Sequence, residues 1–208
     1  MKTNVQIRQE TCEAIRGKWL AGVVLTLVYG ILFGLISSFS VVNVDDEVVF
    51  SLLTLLAAIV VGYPLTLGYA MVWLNVARNN THPELKDLFG AFNRRYHRSA
   101  MGTLLLQNIY TFLWTLLLIV PGIIKSMEYA MTPFIVADEP ELGCNEAIEK
   151  SMVMMRGHRW QLFKIYLGMI GWMILGVFTF YIAWLWIVPY YQAVFAKFYL
   201  TVKEEEAK

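Results

Sequence analysis

Residues 139–160 read EPELGCNEAIEKSMVMMRGHRW. This is the only long polar segment in the second half of the chain, and strongly apolar runs flank it on both sides. The side of a membrane that it faces sets the direction of every helix around it. The whole chain has 208 residues, of which 58% are hydrophobic and 16% charged. Soluble domains sit near half apolar and about a quarter charged. Together with apolar runs of about 18 residues or more, this composition points to a membrane-embedded helical domain.

Downstream of the segment, spans are expected at about 161–179 and 181–202, the second containing Pro189. Upstream lies IIKSMEYAMTPFIVAD (123–138), apolar but interrupted by Lys125, Glu128 and Pro133. At ~1.5 Å per residue it reaches only about 24 Å, short of the ~30 Å hydrocarbon core. Pro121-Gly122 signals a turn, and a span at about 100–120 precedes it. Residues 78–99 form a basic loop holding Arg78, Lys86, Arg94, Arg95 and Arg98. In it, Thr81 and Glu84 have capping-box spacing. Leu85, Leu88, Phe89 and Phe92 follow at helical spacing, which predicts an interfacial amphipathic helix. A span at about 48–77 contains Gly62-Tyr63-Pro64, an acidic turn NVDDE occupies 43–47, and the first span covers about 19–41. The first span contains Gly30 and Gly34 in GxxxG spacing, which fits generic close packing as well as a dimer face. Residues 3–16 predict a short amphipathic helix with Ile7, Thr11, Ala14 and Ile15 on one face. Glu10 and Glu13 precede an apolar run longer than a signal h-region, so the first span is expected to be retained.

Charge decides the orientation. If 123–138 crosses, residues 1–18, 78–99, 139–160 and the tail lie on one side, with sixteen of the seventeen Lys and Arg; Lys125 alone is left near the other face. The positive-inside rule then places both termini in the cytoplasm. A re-entrant 123–138 would move Lys150, Arg156 and Arg159 outside, which the rule disfavours. The expectation is an all-α polytopic protein: six spans in three hairpins, each led by a cytoplasmic amphipathic helix, within a single domain over 1–208. The lead-ins are 3–18, 81–98 and 143–160. The second span of each pair carries a proline (Pro64, Pro133, Pro189), and two lead-ins end alike, Arg16-Gly-Lys-Trp19 and Arg156-Gly-His-Arg-Trp160. Such self-similarity fits a tandem helix-plus-hairpin unit as well as chance.

LWTLLLIVPGIIKSMEYAMTPFIVADEPELGCNEAIEKSMVMMRGHRWQLF (113–163) resembles a bacterial family of integral membrane proteins labelled domain of unknown function 975. The likeness continues through Ile170-Gly-Trp172, Leu185-Trp-Ile-Val-Pro-Tyr190 and Ala196-Lys-Phe-Tyr199, and includes Glu13-Ala-Ile-Arg-Gly-Lys-Trp19. The resemblance implies a bacterial plasma-membrane protein and assigns no activity. The family often has Ser where this chain has Gly143 at the cap of the 143–156 helix, and Gly is a tolerated cap.

Two residue groups are candidate sites. Lys125 and Glu128 are opposite charges at i, i+3 inside a predicted span; intramembrane charges are functional-site candidates, but local pairing with snorkelling is the favoured explanation here. Arg156, His158, Arg159 and Trp160 form a basic, aromatic-tipped corner. They suit anionic headgroups or a phosphorylated ligand, or serve only as a positive-inside anchor with a belt tryptophan. Glu146 and Lys150 are spaced as an i, i+4 pair. Met152, Met154 and Met155 are at core-filling spacing.

Cys12 and Cys144 are too few for a disulfide framework and fall in segments expected to stay reduced. His82, His97 and His158 have no metal-type spacing, and no hydrolase, metalloprotease or phosphate-loop motif occurs. No catalytic residue, metal or cofactor is therefore expected. A net charge of +1 gives no field to recruit nucleic acid. The leading expectation is a non-enzymatic protein that organises or regulates the envelope through its cytoplasmic face. The lipid bilayer and its anionic headgroups would be its partners, with a protein partner or a second copy left open. The alternative is a transporter or channel subunit for a small solute, lipid or peptide, because prolines and charges interrupt the spans.

Overall fold

The computed structural model describes residues 2–38, 56–179 and 182–206. The NVDDE turn, the start of the second expected span and the turn near Phe180 lie outside the described residues. All regular structure among the described residues is helical. Ten α-helices are described: α1 (Asn4–Ile15), α2 (Trp19–Ser38), α3 (Tyr63–Asn79), α4 (Leu85–Leu88), α5 (Arg94–Leu117), α6 (Ile119–Glu128), α7 (Thr132–Asp138), α8 (Cys144–Met154), α9 (Arg159–Phe178) and α10 (Trp184–Glu206). A π-helical stretch, Ala58–Gly62, leads into α3, and a 3₁₀ turn, Gly90–Phe92, follows α4. Among the described residues, four helical stretches are long and apolar enough to cross a membrane: Trp19–Ile36, Ile59–Asn79, Arg95–Leu117 and Arg159–Phe178.

The helix α3 is the axis of the bundle. Leu65, Leu67, Val72, Trp73 and Val76 on it are buried almost completely, and it packs on α7, α10 and the α4 segment. Two glycines permit these close approaches. Gly22 on α2 faces the Trp73 ring, where a Cβ would sit 3.0 Å from Cη2. Gly68 lies directly on the Leu88 carbonyl, which any Cβ there would strike. Tyr69 pairs its hydroxyl with Thr26 at 2.9 Å, fastening α2 to α3. The face predicted for α1 is the buried one, with Ile7, Thr11 and Ile15 inside. Its cap is a Thr3–Gln6 capping box.

Three sequence expectations are corrected here. Residues 123–138 do not form one continuous helix. The chain turns at Leu118, an extended residue, and α6 returns against α5 for ten residues; Tyr129–Met131 then break the helix before α7. The turn falls at Leu118 rather than at Pro121-Gly122, because proline is tolerated in a first helical turn, where no N–H partner exists. Gly122 then lets α6 lie against Thr115, where a Cβ would meet the Thr115 Cα at 2.7 Å. Second, Thr81 caps nothing: the helix starts after Glu84 and lasts four residues. Pro83 disfavours helical backbone at His82, which moves the start downstream. Third, Lys150 pairs with Glu139 at 2.6 Å instead of Glu146. The Glu146 carboxylate accepts the Gly143 N–H at 2.9 Å, capping α8 as its position predicts.

The two lead-ins with similar endings share one geometry. Gly17 joins α1 to α2 with φ +79°, and Gly157 joins α8 to α9 with φ +86°. In each, the following residue donates its N–H three residues back, Lys18 to Ile15 and His158 to Met155. The 81–98 lead-in has no such turn; Asn93 caps α5 there. A Cβ at Gly30 would meet nothing within 4 Å, so this half of the GxxxG pair is not used to bring described helices together.

Candidate functional site

Segments far apart in sequence gather at one end of the bundle. The Asp138 carboxylate ends α7 and receives Arg78 at 2.7 Å, Lys203 at 2.7 Å and the Tyr199 hydroxyl at 3.0 Å. Arg95 meets Glu141 at 2.6 Å. Lys18 donates to the carbonyl and side chain of Asn80 at 2.5 and 2.6 Å. Glu10 holds Lys2 at 2.7 Å and Lys197 at 3.2 Å. Thus the N-terminal segment, the 78–99 loop, the 139–160 stretch and the C-terminal end of α10 are tied to one another. Burial opposes ionisation of Asp138, but the Lys203, Arg78 and Tyr199 hydrogen bonds outweigh it and hold the carboxyl below the ordinary aspartate range. The hydrogen bond from Lys150 does the same for Glu139, against a smaller effect of burial. The sequence signal for this hub was the Asp138-Glu139 dipeptide at the end of an apolar run, which reads only as a boundary until its partners are known.

Lys125 and Glu128 do meet, at 2.7 Å. They are not an isolated pair. Arg159 reaches the other Glu128 oxygen at 2.8 Å, and the Ser151 hydroxyl donates to the Glu128 carbonyl at 2.6 Å. The Lys125 ammonium also lies 5.4 Å from the Trp114 ring centre and 3.8 Å from the Met152 sulfur. The Glu128 side chain is only 4% exposed. Lys125 therefore sits with the 139–160 stretch, beside Met152 and the Glu128–Arg159 pair. The network fastens α6 to α8 and α9.

The other candidate group divides. Arg159 is committed to Glu128, and His158 lies 3.9 Å from Glu205. Arg156 and Trp160 are exposed. Trp160 stacks on Phe163 with centroids 5.2 Å apart, and the Lys164 ammonium is 5.7 Å from its ring centre. On one side of Trp160 lies an open cavity of about 440 Å³ lined by Lys2, Thr3, Asn4, Gly157, Gln161 and Lys164. On its other side an apolar cavity of about 330 Å³ is formed by Val120, Ile123, Ile124, Met127 and Phe163, with Arg159 at the edge. Lys2 and Lys164 were not singled out by sequence, since only folding brings α1 against the start of α9. Met154 and Met155 are buried core, and Cys12 and Cys144 are free thiols. Asn108 donates to the Tyr63 hydroxyl at 3.2 Å, a helix-to-helix link. No group of three or more His, Cys, Asp or Glu among the described residues is arranged to hold a metal.

No curated protein and no solved structure matches the chain. The family described as "Protein of unknown function (DUF975)" matches residues 1–127 and 115–206. The two matches together run through nearly the whole sequence, across the hub, the Glu128 network and the paired cavities, and the chain belongs to that family.

Proposed function

We propose that the protein is a multi-pass component of the bacterial plasma membrane, non-enzymatic, which organises or regulates the envelope through a basic cytoplasmic face that engages anionic lipid headgroups. The observation that carries this reading is the cavity pair at Trp160: a lysine-rimmed hollow beside an apolar one, with an exposed indole between them. A phospholipid has this division into charged head and apolar tail. The topology goes with it. Gathering of the four basic segments by ion pairs supports both termini lying on one side, and the positive-inside rule makes that side cytoplasmic. The α5–α6 hairpin serves as a re-entrant element instead of two crossings. Its return arm of ten residues is about 15 Å long, half a hydrocarbon core. Its tip, Leu116 to Val120, is apolar and exposed. The crossings in this reading are α2, α3, α9 and α10. Helix α10 falls below the apolarity of the other three because Pro189, Tyr190, Tyr191, Gln192 and Lys197 interrupt its apolar run.

The test is native mass spectrometry of the protein released from nanodiscs containing equal phosphatidylglycerol and phosphatidylcholine. Wild type should retain phosphatidylglycerol preferentially, and Lys2→Gln/Lys164→Gln should lose about a factor of five in that preference per lysine. Equal retention of both lipids by wild type overturns the reading. The transporter reading has one observation in its favour: the helix break at Tyr129–Met131 directly follows the buried Glu128, and broken helices beside charges line transport sites. Retained solute flux, against lost stability, in a Glu128→Gln variant would separate the two.

A further inference from the structure

A third cavity, away from Trp160, lies between α1, α2, α9 and α10. It measures about 370 Å³ and is lined by Arg8, Trp19, Trp172, Trp186, Ile187, Tyr190 and Tyr191. Every side chain in it except Arg8 is aromatic or aliphatic. No carboxylate of the described residues pairs with Arg8: its neighbour on α1, Glu10, is taken by Lys2 and Lys197. The Arg8 Nε is shielded from solvent and has no hydrogen-bond partner among the described residues. The guanidinium lies against the backbone of Gly168 on α9, where any Cβ would strike its Nη2. Glycine at 168 is what admits the cation. Trp172 and Trp186 flank the opening and are about half exposed.

A guanidinium half-removed from water needs an anion, or it costs several kcal/mol to hold there. An aromatic ring of Trp and Tyr is characteristic of the membrane–water boundary. We infer that this cavity is a specific site for the phosphate of an anionic phospholipid, with the Arg8 guanidinium as its counter-ion and the acyl chains running out between Trp172 and Trp186. Guanidinium suits the role because its planar fork matches two phosphate oxygens at once. The glycerol region lies against the Tyr190 and Tyr191 hydroxyl ends. The site rests on the membrane reading but is independent of the Trp160 cavities, which share none of its residues.

Tryptophan fluorescence of the full chain, in nanodiscs whose lipids are brominated near the glycerol end of one acyl chain, tests it. Three of the seven tryptophans line the cavity. Brominated phosphatidylglycerol should quench more strongly than brominated phosphatidylcholine at equal mole fraction, reporting a local enrichment of about five-fold for one basic residue. Arg8→Gln should abolish the excess, and Lys2→Gln/Lys164→Gln should leave it intact. Against the case that Arg8→Gln does not fold, Arg8→Lys, which keeps the charge, should keep most of the excess. Trp172→Phe/Trp186→Phe should remove it. Equal quenching by both lipids in wild type overturns the site. Displacement of the excess by millimolar inorganic phosphate overturns the lipid assignment in favour of a free anion. Absence of quenching by either lipid overturns the membrane reading itself.

Discussion

Replacing Glu128 by Gln separates a structural clamp from a transport charge. The carboxylate is 4% exposed, while its two cationic partners, Lys125 and Arg159, are 25% and 43% exposed. Removing one partner of a fully buried ion pair costs about 3–5 kcal/mol, and an exposed pair contributes only about 0–1 kcal/mol. Here the acid is buried and both cations can turn toward water once released. Lys125 also keeps its place over Trp114. The cost of Glu128→Gln is therefore about 2–3 kcal/mol, between the two limits. For a chain of this size that lowers Tm by about 5–10 °C. Fluorescence-detected size-exclusion after heating in mild detergent measures it. Arg159→Gln should cost less, because half of its partner's charge is still met by Lys125. The double variant should recover about 1–2 kcal/mol relative to the sum of the singles, since both acid and arginine act through one contact. A Glu128→Gln protein with wild-type Tm, or strict additivity with Arg159→Gln, refutes the clamp.

Acid titration of Tm tests the Asp138 hub. Both Asp138 and Glu139 are held below their ordinary values in the folded protein, so their stabilisation is complete at neutral pH and is lost as pH falls below about 4; Asp138→Asn should lower Tm at pH 7 and flatten that acid limb. Gly68→Ala forces a methyl into the Leu88 carbonyl and should cost about 1–3 kcal/mol, read as loss of monodisperse protein on gel filtration, with Gly90→Ala as the tolerated control. Gly17→Ala and Gly157→Ala both place a side chain at positive φ, so each should lower stability by about 1 kcal/mol or more, and by similar amounts; unequal costs would argue against a shared turn. In single-cysteine variants on intact cells, exposed Cys12 should react with a membrane-impermeant maleimide only after permeabilisation. Cys144 should behave in the same way, and ready labelling of either in intact cells contradicts cytoplasmic termini.

The long apolar helices were legible because hydropathy is a local property of the chain. So were the Gly143–Glu146 cap and the Lys125–Glu128 pair, each settled within one helical turn. The helix break at Tyr129–Met131 was not. Pro133 announces an interruption, but whether a proline kinks a helix or opens a new one depends on what packs against it, and α7 is set by its burial on α3 and α5. The partner of Lys150 was also undecidable locally, because Glu146 is drawn to the end of its own helix. Arg159 read as an anchor because its partner lies thirty-one residues away, on an arm whose direction the sequence does not state. The Asp138 hub and the Arg8 cavity are assembled from four elements each, and no periodicity encodes such meetings.

The ties at the polar end also impose an order on biosynthesis. Helix α1 is made before the helices it docks on: Asn4 bonds to the Gln161 carbonyl, Glu10 pairs with Lys197, and α1 packs against α10. Asp138 likewise waits for Tyr199 and Lys203. The helices between can form one after another, but α1 stays undocked until α10 has been synthesised. A ribosome stalled before about residue 197 would leave α1 open to quality-control proteases and chaperones, and synthesis of α10 is the event that closes it.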